Sequence, residues 1–406
     1  MSGGAASDTL SVAQALERIL DRVEPLGTER VPIAQAHGRV LAEALAAQHT
    51  QPPFNASAMD GYAVRGSDVT QVPVHLKVIG ESAAGRGFHG TIASGEAVRI
   101  FTGAPVPEGA DTIVIQENTT RQGAVVVVGP GEHDTGYIRK RGFDFAAGQT
   151  LLEPGRLLNA REIMLAASMG HGHVPVRRRP RVALLATGDE LVLPGTLPGL
   201  DQIVCSNPFG ISAMVAGAGG LPDFAGISPD TKEALHAKLD AAVDSDIVVT
   251  IGGASVGDHD LVGPVLIERG MTLDFWKIAM RPGKPLMFGT LEGQRVMGLP
   301  GNPVSSMICT RVFLVPLIRR LLGLADQDFA RRTAELTVEM SANGPRQHYA
   351  RAILEGVGGE QKVRPVISQD SSLIAALARS NALIVQPPNG PKWPAGTRVE
   401  VLELDF

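Results

Sequence analysis

The sequence predicts a multidomain α/β and β protein, in which a doubly wound α/β domain is combined with β-rich regions. The chain has 406 residues, which is too long for one compact core. Its central part, from Arg181 onward, alternates short apolar runs with helical segments, as in a mostly parallel sheet covered on both faces. The regions on either side carry short β runs between turn residues.

Two helical segments flank the first β-rich region. Ser11 to Leu26 has its apolar residues on one face, and Ser11 with Gln14 forms a possible capping box. The second helix starts near Asn159 and ends at Gly170. We expect the two helices to pack together in one domain that a long insert interrupts.

The insert, roughly Pro53 to Gly148, is rich in glycine and proline. Its patterned runs are short, which favours a small, mostly β domain. These runs are Val72 to Val78, Glu96 to Ile100, Thr112 to Glu117 and Ala124 to Val128.

In the α/β part, three helix starts are predicted from their capping residues. Asn207 is expected as the N-cap before Pro208, Asp230 as the N-cap of the next helix, and Asn302 as the N-cap of a final long helix kinked at Pro316. The predicted strands are Val182 to Ala186, Phe224 to Ile227, Asp246 to Ile251, Leu273 to Ala279, Leu286 to Phe288 and Arg295 to Gly298.

After Gly323 the pattern returns to short β runs, which predict a small all-β domain. The runs are Glu335 to Met340, His348 to Leu354, Ala382 to Val385 and Arg398 to Leu402.

Composition excludes several classes of protein. The formal net charge of −5 argues against a general nucleic-acid binder. Two cysteines, Cys205 and Cys309, give neither a disulfide framework nor a paired-cysteine zinc site. Met1 to Leu10 does not resemble a signal peptide, and the apolar stretch Val312 to Leu324 is too short to span a bilayer. We therefore expect a soluble, cytoplasmic protein without a membrane or nucleic-acid partner.

Polar residues collect where the predicted strands end. Ligands of open α/β sheets bind beyond the carboxyl ends of the strands, so these residues mark a candidate site. They are Gly188-Asp189-Glu190, Asp230, Gly252 to Asp260, Lys277, Arg281 to Pro285, and Pro300 to Pro303.

These groups suit an anionic ligand and a cation. The glycines of Gly252 to Gly257 let backbone N–H groups converge on an anion, although many such loops are only tight turns. Lys284 lies between two prolines, which suits a positioned cation. The acids could hold a divalent metal or transfer protons, or could cap helices: Glu190, Asp230, Asp258 and Asp260. The combination suggests a phosphorylated substrate with Mg²⁺.

Other enzyme classes fit less well. The chain lacks the Gly-Lys-Ser/Thr of P-loop NTPases. Gly253-x-Ser255-x-Gly257 matches a hydrolase nucleophile elbow, but no helix follows the serine directly. His171-Gly172-His173 resembles half a metal site without an evident third ligand.

The motifs resemble those of the molybdopterin molybdenumtransferase (MoeA-type) family, which is related to the enzymatic domain of gephyrin. They follow the family's order over nearly the whole chain. The matching segments are Ser57 to Val64 (SAMDGYAV), Arg99 to Glu117 (RIFTGAPVPEGADTIVIQE), Thr187 to Leu191 (TGDEL), Gly252 to Asp260, Arg281 to Pro285, and Gly298 to Ser305 (GLPGNPVS).

The resemblance implies four domains and an elongated homodimer whose active site pairs the α/β domain of one subunit with the insert of the other. The implied domains are a split elongated one (1–52 and 149–179), the β-rich insert (53–148), the molybdopterin-binding α/β domain (180–328) and a C-terminal β barrel (329–406).

It also implies the reaction: adenylylated molybdopterin and molybdate, with Mg²⁺ or a similar ion, give the molybdenum cofactor and AMP. By motif position, the catalytic candidates are Asp60, Glu190, Asp230, Asp260, Lys277 and Arg281, with Glu190 and Asp230 as metal ligands. The substrate-binding candidates are Thr102, Asp144, Gly252, Gly253, Ser255, Gly257, Asp258, Lys284, Asn302, Arg351 and Ser371.

Three positions depart from the family's pattern. Asn55-Ala56 replaces an Asp-Asn that is frequent before Ser57, and Phe143 stands where Arg-Gly-Glu-Asp is usual, which puts fine contacts of the insert in doubt. Arg281 is a lysine in some relatives.

Two other functions remain in view. The adenylylating enzyme of the same pathway shares the α/β domain and its glycine loop, but it lacks the flanking domains, so the insert with Asp60 argues against it. A non-catalytic gephyrin-like scaffold would be expected to carry further domains and a linker.

Overall fold

A computed structural model describes residues 9–131, 135–253, 261–324, 331–356 and 360–404. Up to Leu152, the described residues form one α-helix and eleven strands, apart from short 3₁₀ turns. They are α1 (Val12–Leu20), β1 (Thr28–Pro32), β2 (Leu45–Ala46), β3 (Ala56–Ser57), β4 (Gly61–Val64), β5 (Val74–Ser82), β6 (Glu96–Ile100), β7 (Thr112–Ile115), β8 (Thr119–Gln122), β9 (Val125–Val128), β10 (Ile138–Arg139) and β11 (Thr150–Leu152).

The central part alternates strands and helices as the sequence predicts. Its elements are α2 (Ala160–Ser168), β12 (His173–Arg177), β13 (Arg181–Thr187), β14 (Leu191–Val192), β15 (Ile203–Val204), α3 (Asn207–Gly217), β16 (Leu221–Ser228), α4 (Lys232–Ala241), β17 (Ile247–Ile251), α5 (Val262–Glu268), β18 (Thr272–Trp276), β19 (Met280–Arg281), β20 (Met287–Leu291), β21 (Gln294–Leu299), α6 (Pro303–Cys309), a π-helical segment (Thr310–Leu314) and α7 (Val315–Leu321).

The C-terminal part is mostly β. It consists of β22 (Arg331–Leu336), β23 (Gln347–Glu355), β24 (Lys362–Pro365), α8 (Ile374–Ala378), β25 (Ala382–Gln386) and β26 (Arg398–Glu403).

The central sheet has the strand order β16-β13-β17-β21-β20-β18. Its first four strands are parallel, whereas β20 and β18 join antiparallel to their neighbours. Because β20 is antiparallel to both of its neighbours, β18 runs parallel to β21 and ends at the same rim as β13 and β17. One face packs on α3, α6 and α7, and the other on α4 and α5, which confirms the doubly wound prediction.

The two β-rich regions are also as expected. The insert forms a six-stranded sheet of order β7-β4-β6-β5-β9-β8. In the C-terminal part, β23-β24-β22-β26-β25 closes into a five-stranded barrel through the pairing of β23 with β25. The barrel is attached to the α/β domain by β19, which pairs with β23.

The first helix differs from the prediction in length and in partner. The capping box of Ser11 and Gln14 is present, but α1 ends at Leu20 rather than Leu26. Its buried residues, Ala15 and Ile19 among them, join the core of the α/β domain, whereas α2 belongs to a separate core around β1 and β12. The expected packing of α1 on α2 was therefore wrong.

Two predicted helix caps are shifted by one residue. Ser206 rather than Asn207 is the N-cap of α3, and the Asn207 side chain instead donates to the carbonyl oxygen of Gly301 at 2.7 Å. Thr231 rather than Asp230 caps α4, and its hydroxyl accepts the N–H of Ala234. Asn207 and Asp230 nevertheless both lie at the rim of the sheet.

The long final helix is irregular before Pro316. Asn302 is its N-cap, as predicted. The irregularity takes the form of the π-helical segment that separates α6 from α7. A proline ring clashes with the carbonyl four residues earlier, so the wider preceding turn accommodates Pro316.

In the described part of the chain, no helix has both the length and the hydrophobicity that crossing a membrane requires.

Candidate functional site

A cleft of about 800 Å³ lies where β13, β17 and β21 end. Five of the sequence-predicted site residues line it together: Glu190, Asp230, Gly252, Gly253 and Asn302. Four candidates cannot be placed, because Ser255, Gly257, Asp258 and Asp260 lie outside the described residues.

The turn after β13 directs Glu190 into the cleft. Gly188 has a φ of +146°, and a Cβ built on it would overlap the Glu190 carboxylate. The neighbouring Asp189 accepts the N–H of Asp230 at 3.1 Å, which connects this turn to the one after β16. Two exposed acids, Glu190 and Asp230, are thus held at one cleft by their backbones.

The turn after β17 needs glycine because other loops approach its backbone closely. Gly252 and Gly253 have φ values of +90° and +61°. A Cβ on Gly252 would lie 3.0 Å from the carbonyl oxygen of Thr187, and one on Gly301 would lie 3.6 Å from the Cα of Gly252. The three strand ends are therefore packed backbone to backbone.

Two of the predicted cations lie on adjoining segments beside the cleft. Lys277 directly follows β18 with a φ of +78°, and its N–H donates to the carbonyl of Leu286 at 2.9 Å. The next residue, Ile278, donates to the carbonyl of Lys284 at 3.0 Å, while Pro285 lines the cleft itself. Lys277 and Lys284 are consequently fixed through their backbones next to the cleft wall.

Arg281 lies at the junction with the barrel and does not line the cleft. It is the register partner of His348 in the pairing of β19 with β23. Burial, together with the positive charge of Arg281, lowers the pKa of His348 to about 4. His348 is therefore neutral at physiological pH, and Arg281 is exposed beside it.

Arg351 is buried behind the cleft wall. Only 1% of it is exposed, so it does not line the cleft. Its guanidinium donates to three carbonyl oxygens of one loop, those of Ser368 (3.0 Å), Asp370 (2.8 Å) and Leu373 (3.0 Å). The side chain thus positions this loop, where the sequence had predicted a substrate-binding residue.

The loop that Arg351 holds contributes residues to the cleft wall, but they are not the ones that the sequence predicted. The Ser371 carbonyl accepts the N–H of Val304 at 3.1 Å, so it supports the start of α6. Ser372 and Ile374 line the cleft itself. Sequence reasoning missed both, since an exposed serine and an exposed isoleucine after a barrel strand carry no signal of a distant cleft.

Two predicted residues of the insert, Asp60 and Thr102, form a separate corner. The Asp60 carboxylate accepts the backbone N–H of Thr102 at 2.7 Å and its hydroxyl at 2.8 Å. These two hydrogen bonds and the charge of Arg99 lower the pKa of Asp60. Asp144 is exposed. None of these described residues lines the cleft of the same chain.

The cleft acids suit a magnesium ion that is shared with phosphates. No group of three or more His, Cys, Asp or Glu residues is close enough to hold a metal in the part of the chain that the structure describes. Mg²⁺ is usually held by one or two carboxylates together with substrate phosphates, so Glu190 and Asp230 are a sufficient donor set when such a substrate is present.

Two other sequence features prove to be structural. His171 bonds through its ring nitrogens to the Ala46 carbonyl and the Gln48 side chain, so it holds the N-terminal region together rather than a metal. Cys205 lines the cleft, but burial and the charge of Glu190 raise the pKa of its thiol. It is therefore not a reactive thiolate.

Three family models match the chain in succession. Residues 10–170 match the MoeA N-terminal region (domain I and II), residues 183–320 a probable molybdopterin binding domain, and residues 333–404 the MoeA C-terminal region (domain IV).

Relatives and solved structures are similar over nearly their whole length. A molybdopterin molybdenumtransferase of Nostoc sp. is 37% identical over 93% of this chain and 89% of its own. One of Haemophilus influenzae is 34% identical over 97% and 98%. The crystal structure of a molybdopterin biosynthesis MoeA protein from Pyrococcus horikoshii superposes with a TM-score of 0.86 at 30% identity, covering 98% of this chain and 100% of that one.

Proposed function

The chain belongs to the molybdopterin molybdenumtransferase family, and we propose that it inserts molybdenum from molybdate into adenylylated molybdopterin, releasing AMP. The observation that carries this proposal is that two acids, Glu190 and Asp230, and the Gly252-Gly253 turn line one cleft at the strand ends of the matched binding domain. The adenylylating enzyme and the scaffold are less favoured, because the relatives that match over the whole chain are molybdenumtransferases.

The chemistry requires charge to be offset. Molybdate is a dianion that must approach a dithiolene next to a phosphoanhydride, and cations reduce the repulsion. Lys277 and Lys284 are fixed beside the cleft, and Arg281 extends the positive charge toward the barrel. The N–H groups of Gly252 and Gly253 suit phosphate oxygens.

The remaining candidates keep their predicted roles. Glu190 and Asp230 would hold Mg²⁺, which when bound offsets the phosphate charge, and would orient water and protons at the cleft. Asn302 would contact the pterin or the phosphates. Ser255, Gly257, Asp258 and Asp260 would complete the glycine loop.

We also propose a homodimer in which the corner of Asp60 and Thr102, with Asp144, faces the cleft of the partner subunit. This is supported by the position of these residues outside the cleft of their own chain. The predicted four-domain boundaries, a cytoplasmic location and contact with other cofactor-biosynthesis proteins belong to the same proposal.

The experiment is a turnover assay. Purified protein is incubated with adenylylated molybdopterin, Mg²⁺ and molybdate, and AMP is quantified together with the molybdenum that becomes pterin-bound. We expect both to appear in equal amounts, and to depend on Mg²⁺. Intact substrate and no AMP after incubation would contradict the proposal.

Asp60→Ala is the sharpest variant for this assay. We expect AMP release to fall by about 100-fold or more, as when one charged group of a preorganised site is lost. Asp68→Ala is the matched control: Asp68 also accepts two hydrogen bonds in the insert, from the Ser94 hydroxyl and the Gly95 N–H. Unchanged turnover in Asp60→Ala would remove Asp60 from the site.

A further inference from the structure

A second cavity of about 510 Å³ adjoins the cleft. It lies between α3, the α6–α7 helix and α8, and the two spaces share Ser206, Asn207, Pro303 and Ile374 as wall residues. Its volume is within the range of small-molecule sites, about 300–1,000 Å³.

The walls of this cavity are mostly apolar. Its apolar side chains include Met214, Met307, Val315, Leu377 and Leu404. They contrast with the exposed acids and backbone turns of the cleft, so the two spaces suit different parts of a ligand.

Two arginines, Arg311 and Arg319, lie within these apolar walls. Arg311 lines the cavity and is only 5% exposed. It belongs to the π-helical segment, and such segments are frequent at functional sites. A guanidinium plane stacks well on the face of an aromatic ring.

We propose that the second cavity holds the adenine ring of the adenylylated substrate, while the pterin and the diphosphate occupy the cleft. This inference rests on the proposed function, because it assigns the two ends of that substrate. It is a binding subsite of the α/β domain together with α8, which precedes a strand of the barrel.

The polarity of the two rings decides which end enters the apolar cavity. A pterin carries N–H and carbonyl groups around most of its edge, and burying them among apolar walls without partners is costly. Adenine has fewer such groups and two apolar faces. The pterin end must also remain beside Glu190 and Asp230, where molybdate is proposed to react.

Gly217 allows a test that leaves the fold undisturbed. It is the last residue of α3 and lines the cavity, and a Cβ added to it meets no atom within 4 Å. Gly217→Leu would thus add a side chain to the cavity wall at a position where its Cβ meets no protein atom. Gly172→Leu is the matched control, since Gly172 also has no atom within 4 Å of an added Cβ and lies in the N-terminal region.

The probes are AMP and ribose 5-phosphate, which share the phosphate and ribose and differ in the base. By calorimetry, we expect the unaltered protein to bind AMP at least about tenfold more tightly than ribose 5-phosphate. Gly217→Leu should lower the affinity for AMP by a similar factor and leave the affinity for ribose 5-phosphate unchanged. Ala213→Leu, one turn earlier on the same cavity wall, should act alike.

Equal affinity of the unaltered protein for the two probes would overturn the inference, as would AMP affinity that neither cavity variant changes. These binding results are independent of turnover. A protein that binds AMP as expected but inserts no molybdenum would contradict only the proposed function, whereas molybdenum insertion with unchanged AMP binding in both variants would contradict only the adenine subsite.

Discussion

The cleft of the α/β domain and the Asp60 corner of the insert fix their acids in different ways. Glu190 and Asp230 are exposed at the ends of neighbouring parallel strands, and backbone turns hold them. Asp60 instead accepts two hydrogen bonds from one residue, Thr102, which lower its pKa.

The difference shows what sheet topology does for a site. Parallel strands bring their carboxyl ends to one rim, so Glu190 and Asp230, which are 40 residues apart in the sequence, line the same cleft. The insert has no such rim. Its corner is built locally, and its residues do not line the cleft of the same chain.

Mixed dimers provide the strongest test of how the two regions meet. If the active site combines the cleft of one subunit with the corner of the other, a dimer of one Asp60→Ala and one Glu190→Ala subunit keeps one intact site. We expect each homodimeric variant to be nearly inactive and the isolated mixed dimer, purified with two affinity tags, to recover about half of the unaltered rate.

One outcome of the same experiment would contradict a site shared between subunits. If both residues act within one chain, every site of the mixed dimer lacks one acid, and its AMP release stays at the level of the single variants. A mixed dimer of Asp68→Ala and Asp60→Ala subunits serves as the control, because it should keep one site active.

The sequence predicted the α/β domain well because its pattern is local. Glycine turns such as Gly252-Gly253 follow apolar strand runs directly, so the strand ends, and with them the cleft, could be located without a structure. The partner of α1 could not be predicted, since its apolar face with Ala15 and Ile19 fits any core of the right shape.

The site was predicted in part for the same reason. Residues at strand ends, Glu190 and Asp230, were correctly brought to one cleft. The role of Arg351 in holding a loop could not be predicted, because a buried arginine that binds loop carbonyls has no distinctive spacing. Ser372 was missed because its loop follows a barrel strand and lies far from the other cleft residues in the sequence.

Gly188→Ala tests whether the backbone conformation of the turn after β13 positions the Glu190 carboxylate. The added methyl group would overlap the Glu190 carboxylate and would force an alanine to adopt a φ of +146°. We expect AMP release to fall by about 10- to 100-fold, since small misplacements of catalytic groups have effects of that size.

The measurement should separate displacement from unfolding. Thermal unfolding of Gly188→Ala is compared with that of Glu190→Gln, which leaves the backbone unchanged. A Gly188→Ala protein with unaltered turnover would mean that the position of the Glu190 carboxylate does not matter for the reaction.

Thr102→Ala probes the Asp60 corner, and we expect it to have the smallest effect of these variants. The variant loses the hydrogen bond from the Thr102 hydroxyl to Asp60 and keeps the one from the backbone N–H, so we expect the pKa of Asp60 to move up toward its ordinary value, about 3.9.

A carboxylate whose folded-state pKa is lowered stabilises the folded protein above the unfolded-state pKa, and this contribution disappears as the pH falls through the folded-state pKa. Thr102→Ala should therefore be slightly less stable than the unaltered protein at pH 7, and the two should converge at a pH below the folded-state pKa of Asp60. Carboxyl NMR titration and urea unfolding at both pH values measure this, with Thr102→Ser as the control that keeps the hydroxyl. An unchanged Asp60 pKa in Thr102→Ala would mean that the backbone N–H of Thr102 alone fixes the carboxylate, and that the Thr102 hydroxyl contributes nothing to the corner.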